Sequence, residues 1–208
     1  MLDEGYIKYQ SDWTQNNPLP YSAIQELNLW RAKLYQLGLL GAYANGIGFG
    51  NISQRWDNKD GLFVISGSTT GNIEVLDEQH YTLVTEVMVE RNFLKCSGPI
   101  IASSESMSHA AIYEQCPKMN AAIHIHHEEM WQYYLNKVPF TSEDITYGTS
   151  EMAYAIANLL KDEANQTLGF FVMAGHREGM FAFGESLKEA GEKLLYFYHQ
   201  FQKSKANQ

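Results

Sequence analysis

The chain lacks several things that would have placed it quickly. No stretch of its 208 residues approaches the apolar length needed to span a bilayer, about 20 residues. It has two cysteines, Cys96 and Cys116, which are too few for a disulfide scaffold and have no metal-ligand spacing. Positive charge is scarce: 15 Lys and Arg against 24 Asp and Glu give a net charge of −9. Lys and Arg are scattered, and the densest group, Lys203 and Lys205, falls near one end. Without a basic patch, a phosphate backbone is repelled, so nucleic acid is not an expected partner. The opening Met1-Leu2-Asp3-Glu4 has neither a basic nor an apolar region of a signal peptide, and two thiols suit a reducing compartment; the expected location is the cytoplasm. Internal repeats and low-complexity tracts are also missing. What is present is 45% hydrophobic and 19% charged residues, the composition of one ordinary globular domain spanning 1–208.

The first 20 or so residues are polar, end in Asn16-Asn17-Pro18-Leu19-Pro20, and read as an arm before the domain. Ser22 reads as the cap of a helix carrying Ile24, Leu27, Arg31, Leu34 and Leu37, which runs out into a glycine-rich loop at 45–50. Leu62 to Ile65 is strand-like and stops at a polar loop, Ser66 to Gly71. Asp77 predicts the start of a helix through Leu83, Val84, Val87 and Met88. Pro99 to Ala102 reads as a short strand, and Ser103 or Ser104 as the cap of a helix through Tyr113. Strand 121–126, a helix capped by Ser150, strand 169–174, a turn at 177–179 into strand 180–183 and a helix over 186–202 complete the reading. Interspersed strands and helices predict an α/β fold with a central mixed, mainly antiparallel sheet flanked by helices.

Within Ala121-Ala122-Ile123-His124-Ile125-His126-His127, strand alternation puts His124 and His126 on one face and Ile123 and Ile125 on the other. Same-face neighbours lie roughly 6.5–7 Å apart, which two imidazoles can bridge to one ion. The same pattern can also be a plain polar face. His127 points the other way. His176 lies where the apolar strand Phe170 to Ala174 ends and a hairpin turn begins, a position that can deliver a third nitrogen. Three histidines and an open fourth position make a catalytic metal site. His80 and His199 read as solvated, and His109 as a packed or hydrogen-bonded helix residue.

Ser103-Ser104-Glu105 at a helix start offers hydroxyls, free N–H groups and a carboxylate able to carry protons, or simply a good cap. Gly50-Asn51-Ile52-Ser53 and the loop 66–71 similarly offer amides, hydroxyls and glycines that allow close backbone approach.

Taken in order, these motifs resemble the class II aldolase/adducin family: Gly50-Asn51-Ile52-Ser53, Thr70-Gly71, Ser103-Ser104-Glu105 with His109, His124-x-His126, Glu151-Met152-Ala153, His176, Gly179, Gly184 and Ser186-Leu187. The resemblance implies an α/β/α three-layer fold and a zinc ion held by His124, His126 and His176. It implies that Asn51, Thr70, Gly71, Ser103 and Ser104 hold a substrate phosphate and that Glu105 is the catalytic acid/base. The implied activity is aldolase-type cleavage of a small ketose, commonly a sugar phosphate, through an enediolate, in a homotetramer with sites at subunit interfaces. A 4-epimerase, a dehydratase and a non-catalytic adducin-like protein share the scaffold. Two departures stand out: Gly175-His176-Arg177 replaces the family's Asn-His-Gly, and Ser68-Thr69-Thr70-Gly71 replaces its Thr-Pro-Ser-Gly-like loop. Arg177 can bind an acidic substrate group or be a turn residue, with the turn the favoured reading, and the family's C-terminal tyrosine has two helix-face counterparts, Tyr196 and Tyr198.

Overall fold

Alternating β-branched and aromatic runs dominate the middle of the chain, and in the computed structural model they build one mixed sheet of eight strands. The structure describes residues 6–56 and 61–206; the opening Met1 to Glu4 lies outside them. The elements in chain order are β1 (Gln10–Gln15), α1 (Tyr21–Gln36), β2 (Gly41–Ala42), β3 (Gly48–Phe49), β4 (Asn51–Arg55) and β5 (Phe63–Ser66). Next come β6 (Tyr81–Met88), β7 (Phe93–Gly98), α2 (Ser106–Gln115), β8 (Ala121–His126), α3 (Glu128–Tyr134) and α4 (Ser150–Leu159). The last are α5 (Glu163–Leu168), β9 (Phe170–Val172), β10 (Gly179–Gly184) and α6 (Leu187–Ala206). The sheet order is β1-β7-β6-β5-β4-β8-β10-β9, and β2 pairs with β3 in a separate small hairpin. Only the β1–β7 edge pair is parallel among the described ladders.

Two cores lie on the two faces of this sheet, which gives the three layers. Ile24, Leu27 and Leu34 of α1 and Leu187, Leu194 and Phe201 of α6 pack with Ile52, Ile123, Ile125 and Met180. On the opposite face Met107 and Ile112 of α2 and Met152 and Ile156 of α4 pack with Ile65, Ala122, Phe171 and Phe181. Burying each such side chain contributes roughly 1.5–3 kcal/mol. Strand β8 shows the alternation directly, with Ile123 and Ile125 in the first core. His124 and His126 face the other way, and all six β8 residues are buried.

The expectations differ from the structure in several local places. Asp77 does cap, its carboxylate accepting from Gln79 N–H, but it opens only a single 3-10 turn, Glu78–His80, not a long helix. The stretch beyond it is β6, because Tyr81, Thr82, Val84, Thr85 and Val87 are aromatic or β-branched and suit a pleated surface better than a helix. The strand expected at Pro99 to Ala102 is Phe93–Gly98 instead, with Ala102 making only an isolated bridge to Gly67. Proline cannot donate to a central ladder, which moves the strand ahead of it. Pro20, rather than Ser22, occupies the cap of α1, and Thr149, rather than Ser150, caps α4 through its hydroxyl on Met152 N–H. The polar arm contributes an edge strand: β1 runs beside β7 from Gln10–Phe93 to Gln15–Gly98. Tyr9, just before it, is buried and donates to the carbonyls of Ala102 (2.8 Å) and Ser103 (3.2 Å). Two further short helices, α3 and α5, follow β8 and α4; His127 caps α3 by accepting from Met130 N–H.

Candidate metal centre and adjoining polar cavity

His124 and His126 come from β8, and His176 from the turn between β9 and β10, which is hydrogen-bonded to β8. The three rings bring one nitrogen each to within 4.8 Å of one another, and all three residues are buried. His124 Nε2 and His126 Nε2 face each other at 3.0 Å. The other nitrogen of His124 donates to the Met180 carbonyl at 3.1 Å, which leaves a lone pair on Nε2. Burial holds the pKa of His176 down to about 3 and that of His124 well below its ordinary value, with neighbouring histidines adding to the effect on His124. Neutral imidazoles converging lone pairs in a buried space are the donor set a divalent cation requires. Gly179 keeps that space open: a Cβ there would lie 3.0 Å from His176 Nδ1 and 3.1 Å from His124 Cε1.

Glu105 is fully buried at the start of α2. Its Oε2 accepts from Ser108 Oγ at 2.7 Å, and Oε1 lies 3.5 Å from His176 Nδ1. Glu105 itself occupies the cap position of α2, where a serine was expected. The Ser103 carbonyl accepts from Ser106 N–H and Oγ–H there. Tyr147 stacks on His176 with ring centroids 4.2 Å apart, and Lys8 lies 3.7 Å from the Tyr147 ring centroid.

Beside this cluster, Asn51, Thr70, Gly71, Ser103 and Ser104 line one small polar cavity together with Ser68 and Thr69. The sheet joins the two regions, since Asn51 pairs with His124 across β4 and β8. The cavity floor needs glycine at 71, where a Cβ would come within 2.3 Å of the Gly41 carbonyl and 2.5 Å of Gly48 Cα. Remote side chains hold its walls. Arg31 reaches from α1 to the carbonyls of Glu74 (2.6 Å), Thr70 (3.1 Å) and Gly71 (3.4 Å). Thr70 Oγ1 donates to the Gly67 carbonyl at 2.9 Å.

A buried relay sets the Asn51 amide. Tyr113 and Ser53 hydroxyls meet at 2.6 Å, Ser53 Oγ meets His109 Nδ1 at 2.6 Å, and His109 Nε2 meets Asn51 Oδ1 at 2.5 Å. Burial lowers the His109 pKa to about 3, so the ring is neutral and has one N–H. Donating it to the Asn51 oxygen makes Nδ1 the acceptor for Ser53. The sequence reading has His109 as packed or hydrogen-bonded, which is where it lies. Arg31 enters that reading only as a helix position, and Ser108, Tyr43 and Tyr147 do not enter it. The one available signal was Arg31, a charged residue on the apolar stripe of α1. Arg177 sits in the turn as expected, exposed and paired with Glu128. Tyr196 is exposed and Tyr198 buried on α6.

Sequence comparison supplies the family. The profile described as Class II Aldolase and Adducin N-terminal domain matches residues 32–202. The chain belongs to this class II aldolase and adducin family. At the level of sequence, no curated protein matches the chain. Solved structures with the same fold include an L-fuculose 1-phosphate aldolase, 20% identical over 91% of this chain and 89% of that one, with a TM-score of 0.66. Another is YgbL from Escherichia coli, described as a putative aldolase/epimerase/decarboxylase. It is 20% identical over 88% of this chain and 87% of that one, with a TM-score of 0.65. A sugar-phosphate aldolase from Thermotoga maritima is 18% identical over 87% and 92%, with a TM-score of 0.66. At these identities the class II aldolase likeness establishes the architecture; among the described residues no helix is long and apolar enough to cross a membrane.

Proposed function

We propose that this family member is a metal-dependent aldolase-type lyase that cleaves a small ketose bearing a phosphate. The observation that carries the reading is the adjacency of three convergent buried histidines, a buried carboxylate and a hydroxyl-lined cavity. A zinc ion held by His124, His126 and His176 would supply Lewis-acid polarisation of the substrate carbonyl. Three imidazole ligands suit zinc and leave a position for substrate. Glu105 is the acid/base: Ser108 fixes one carboxylate oxygen, and the other faces the histidine cluster, so Glu105 exchanges a proton with the carbon beside the carbonyl. Asn51, Thr70, Gly71, Ser103 and Ser104 receive the phosphate, whose charge must be met locally because the chain as a whole is acidic. The same reading includes a cytoplasmic homotetramer.

The test is a panel of phosphorylated and unphosphorylated ketoses followed by product analysis. Retro-aldol cleavage to a small carbonyl compound is expected, and Glu105→Gln should retain the metal while losing about 10²–10⁴ in rate. Epimerised or dehydrated products would move the reaction within the family. Undiminished turnover by Glu105→Gln would remove that residue from the chemistry. Reaction of unphosphorylated substrates alone would remove the phosphate role of the cavity.

A further inference from the structure

Behind the metal-facing side of His126 stands a second set of groups, ending at a backbone position that glutamate occupies under strain. His126 Nδ1 lies 2.9 Å from the Tyr43 hydroxyl, and the same hydroxyl lies 2.8 Å from Glu178 Oε2. A carboxylate only accepts, so the phenolic proton points to Glu178 and the phenol oxygen accepts from His126 Nδ1–H. That tautomer leaves the lone pair on His126 Nε2, the atom 3.0 Å from His124 Nε2. Tyr43 is well placed to hold it. Its N–H donates to the Ile47 carbonyl at 2.9 Å and its carbonyl accepts from Gly46 N–H at 2.8 Å. Its ring lies 4.7 Å from Phe49, which stacks on His126 at 5.6 Å.

The second observation is independent of the first. Glu178 has φ of +70°, in the left-handed region that glycine enters freely and a branched or long side chain enters only with strain. A glycine stands next to it at 179, so the turn has the residue type that would relieve the strain one position away. Strain retained beside a site is accounted for when the strained side chain does something there. Here it anchors the phenol.

We propose that Glu178 and Tyr43 are positioning residues of the metal centre, a carboxylate–phenol–imidazole relay that fixes the tautomer and orientation of His126. The proposal rests on the reading of the three histidines as metal ligands. Partners on the far nitrogen of a ligating histidine set its orientation and raise its basicity, and their loss typically weakens metal affinity 10–100-fold.

The experiment strips the full-length protein of metal and titrates zinc against a chromophoric chelator, with melting temperature measured on the same metal-free samples. Glu178→Gly should melt higher than wild type, because glycine relieves the left-handed backbone, yet bind zinc 10–100-fold more weakly. Tyr43→Phe should weaken zinc to a similar extent. Glu178→Gln should recover part of the affinity, since its carbonyl oxygen still accepts from the phenol. A merely structural role would move stability and affinity together, whereas the relay separates them in opposite directions. Wild-type zinc affinity in both Glu178→Gly and Tyr43→Phe, with zinc binding lost in His124→Ala, overturns the relay and leaves the metal centre standing. A wild-type protein that takes up no zinc overturns the metal reading itself, and the relay with it.

Discussion

The two halves of the site are held in place by different means. The histidine cluster stands on β8 and on the β9–β10 turn, so the ladder bonds of the sheet position it. The polar cavity beside it is mostly backbone outside the large sheet's ladders, at Gly50, 67–71 and 103–104, with Gly48 from the small β2–β3 hairpin and Asn51 from the first position of β4. Its shape depends on side chains arriving from elsewhere: Arg31 from α1, Tyr9 from the arm and the His109 relay from α2. A sheet-borne ligand can be deleted without moving its neighbours. A loop-borne cavity is deformed by changes in residues that never touch what it binds.

The largest effect expected from this contrast is on the sheet side. His124→Ala should reduce bound metal from about one ion per chain to near none, with the far-ultraviolet dichroism of the wild type, because the β8 backbone bonds remain. Metal analysis checks it, and a full complement of metal in the variant would remove the cluster as the site. Next comes Arg31→Met on the loop side. It takes the Arg31 donor from the carbonyls of Glu74 and Gly71, while Thr70 keeps the Ile73 N–H at 3.2 Å, and each buried group left unsatisfied costs about 1–3 kcal/mol. Inorganic phosphate should bind this variant about tenfold more weakly while metal content stays unchanged. Equal phosphate affinity in the two proteins would show that Arg31 does not shape the cavity.

The same contrast explains what was legible in the sequence. His124 and His126 could be read from two-residue alternation because a regular strand converts spacing into a face. His176 was legible because the end of an apolar run marks a sheet rim. The cavity residues came in by family order, since loop geometry has no period to read. The supports of both halves pair over long separations: Arg31 and Tyr9 lie 39 and 94 positions from cavity carbonyls they bond and Tyr43 lies 83 from His126, so that even the oddly placed charge of Arg31 does not name its partner. The misread stretch after Asp77 is instructive. A true cap signal was followed by residues whose spacing fits a helix, and their β-branching, with pairing to β5 and β7, decided for a strand.

The smallest effect separates the two halves by pH. Burial lowers the His109 pKa from 6.5 to about 3, so in the folded protein the ring stays neutral where the unfolded chain protonates it. Between those values the unfolded state binds more protons than the folded one. Stability from this group is therefore complete above about pH 6.5 and is lost as pH falls toward 3, at up to about 1.4 kcal/mol per pH unit. His124 and His176 are shifted in the same direction, so the total slope does not assign the effect to one side. His109→Gln does. It should be less stable than wild type at pH 7.5, because the bond to Asn51 is remade imperfectly, yet lose less stability between pH 6.5 and 4.5. Urea unfolding across that range reads the difference directly. Converging curves place the titration in the relay that sets Asn51, on the cavity side; parallel curves would place it outside that relay, among His124, His176 and His127, which burial shifts the same way.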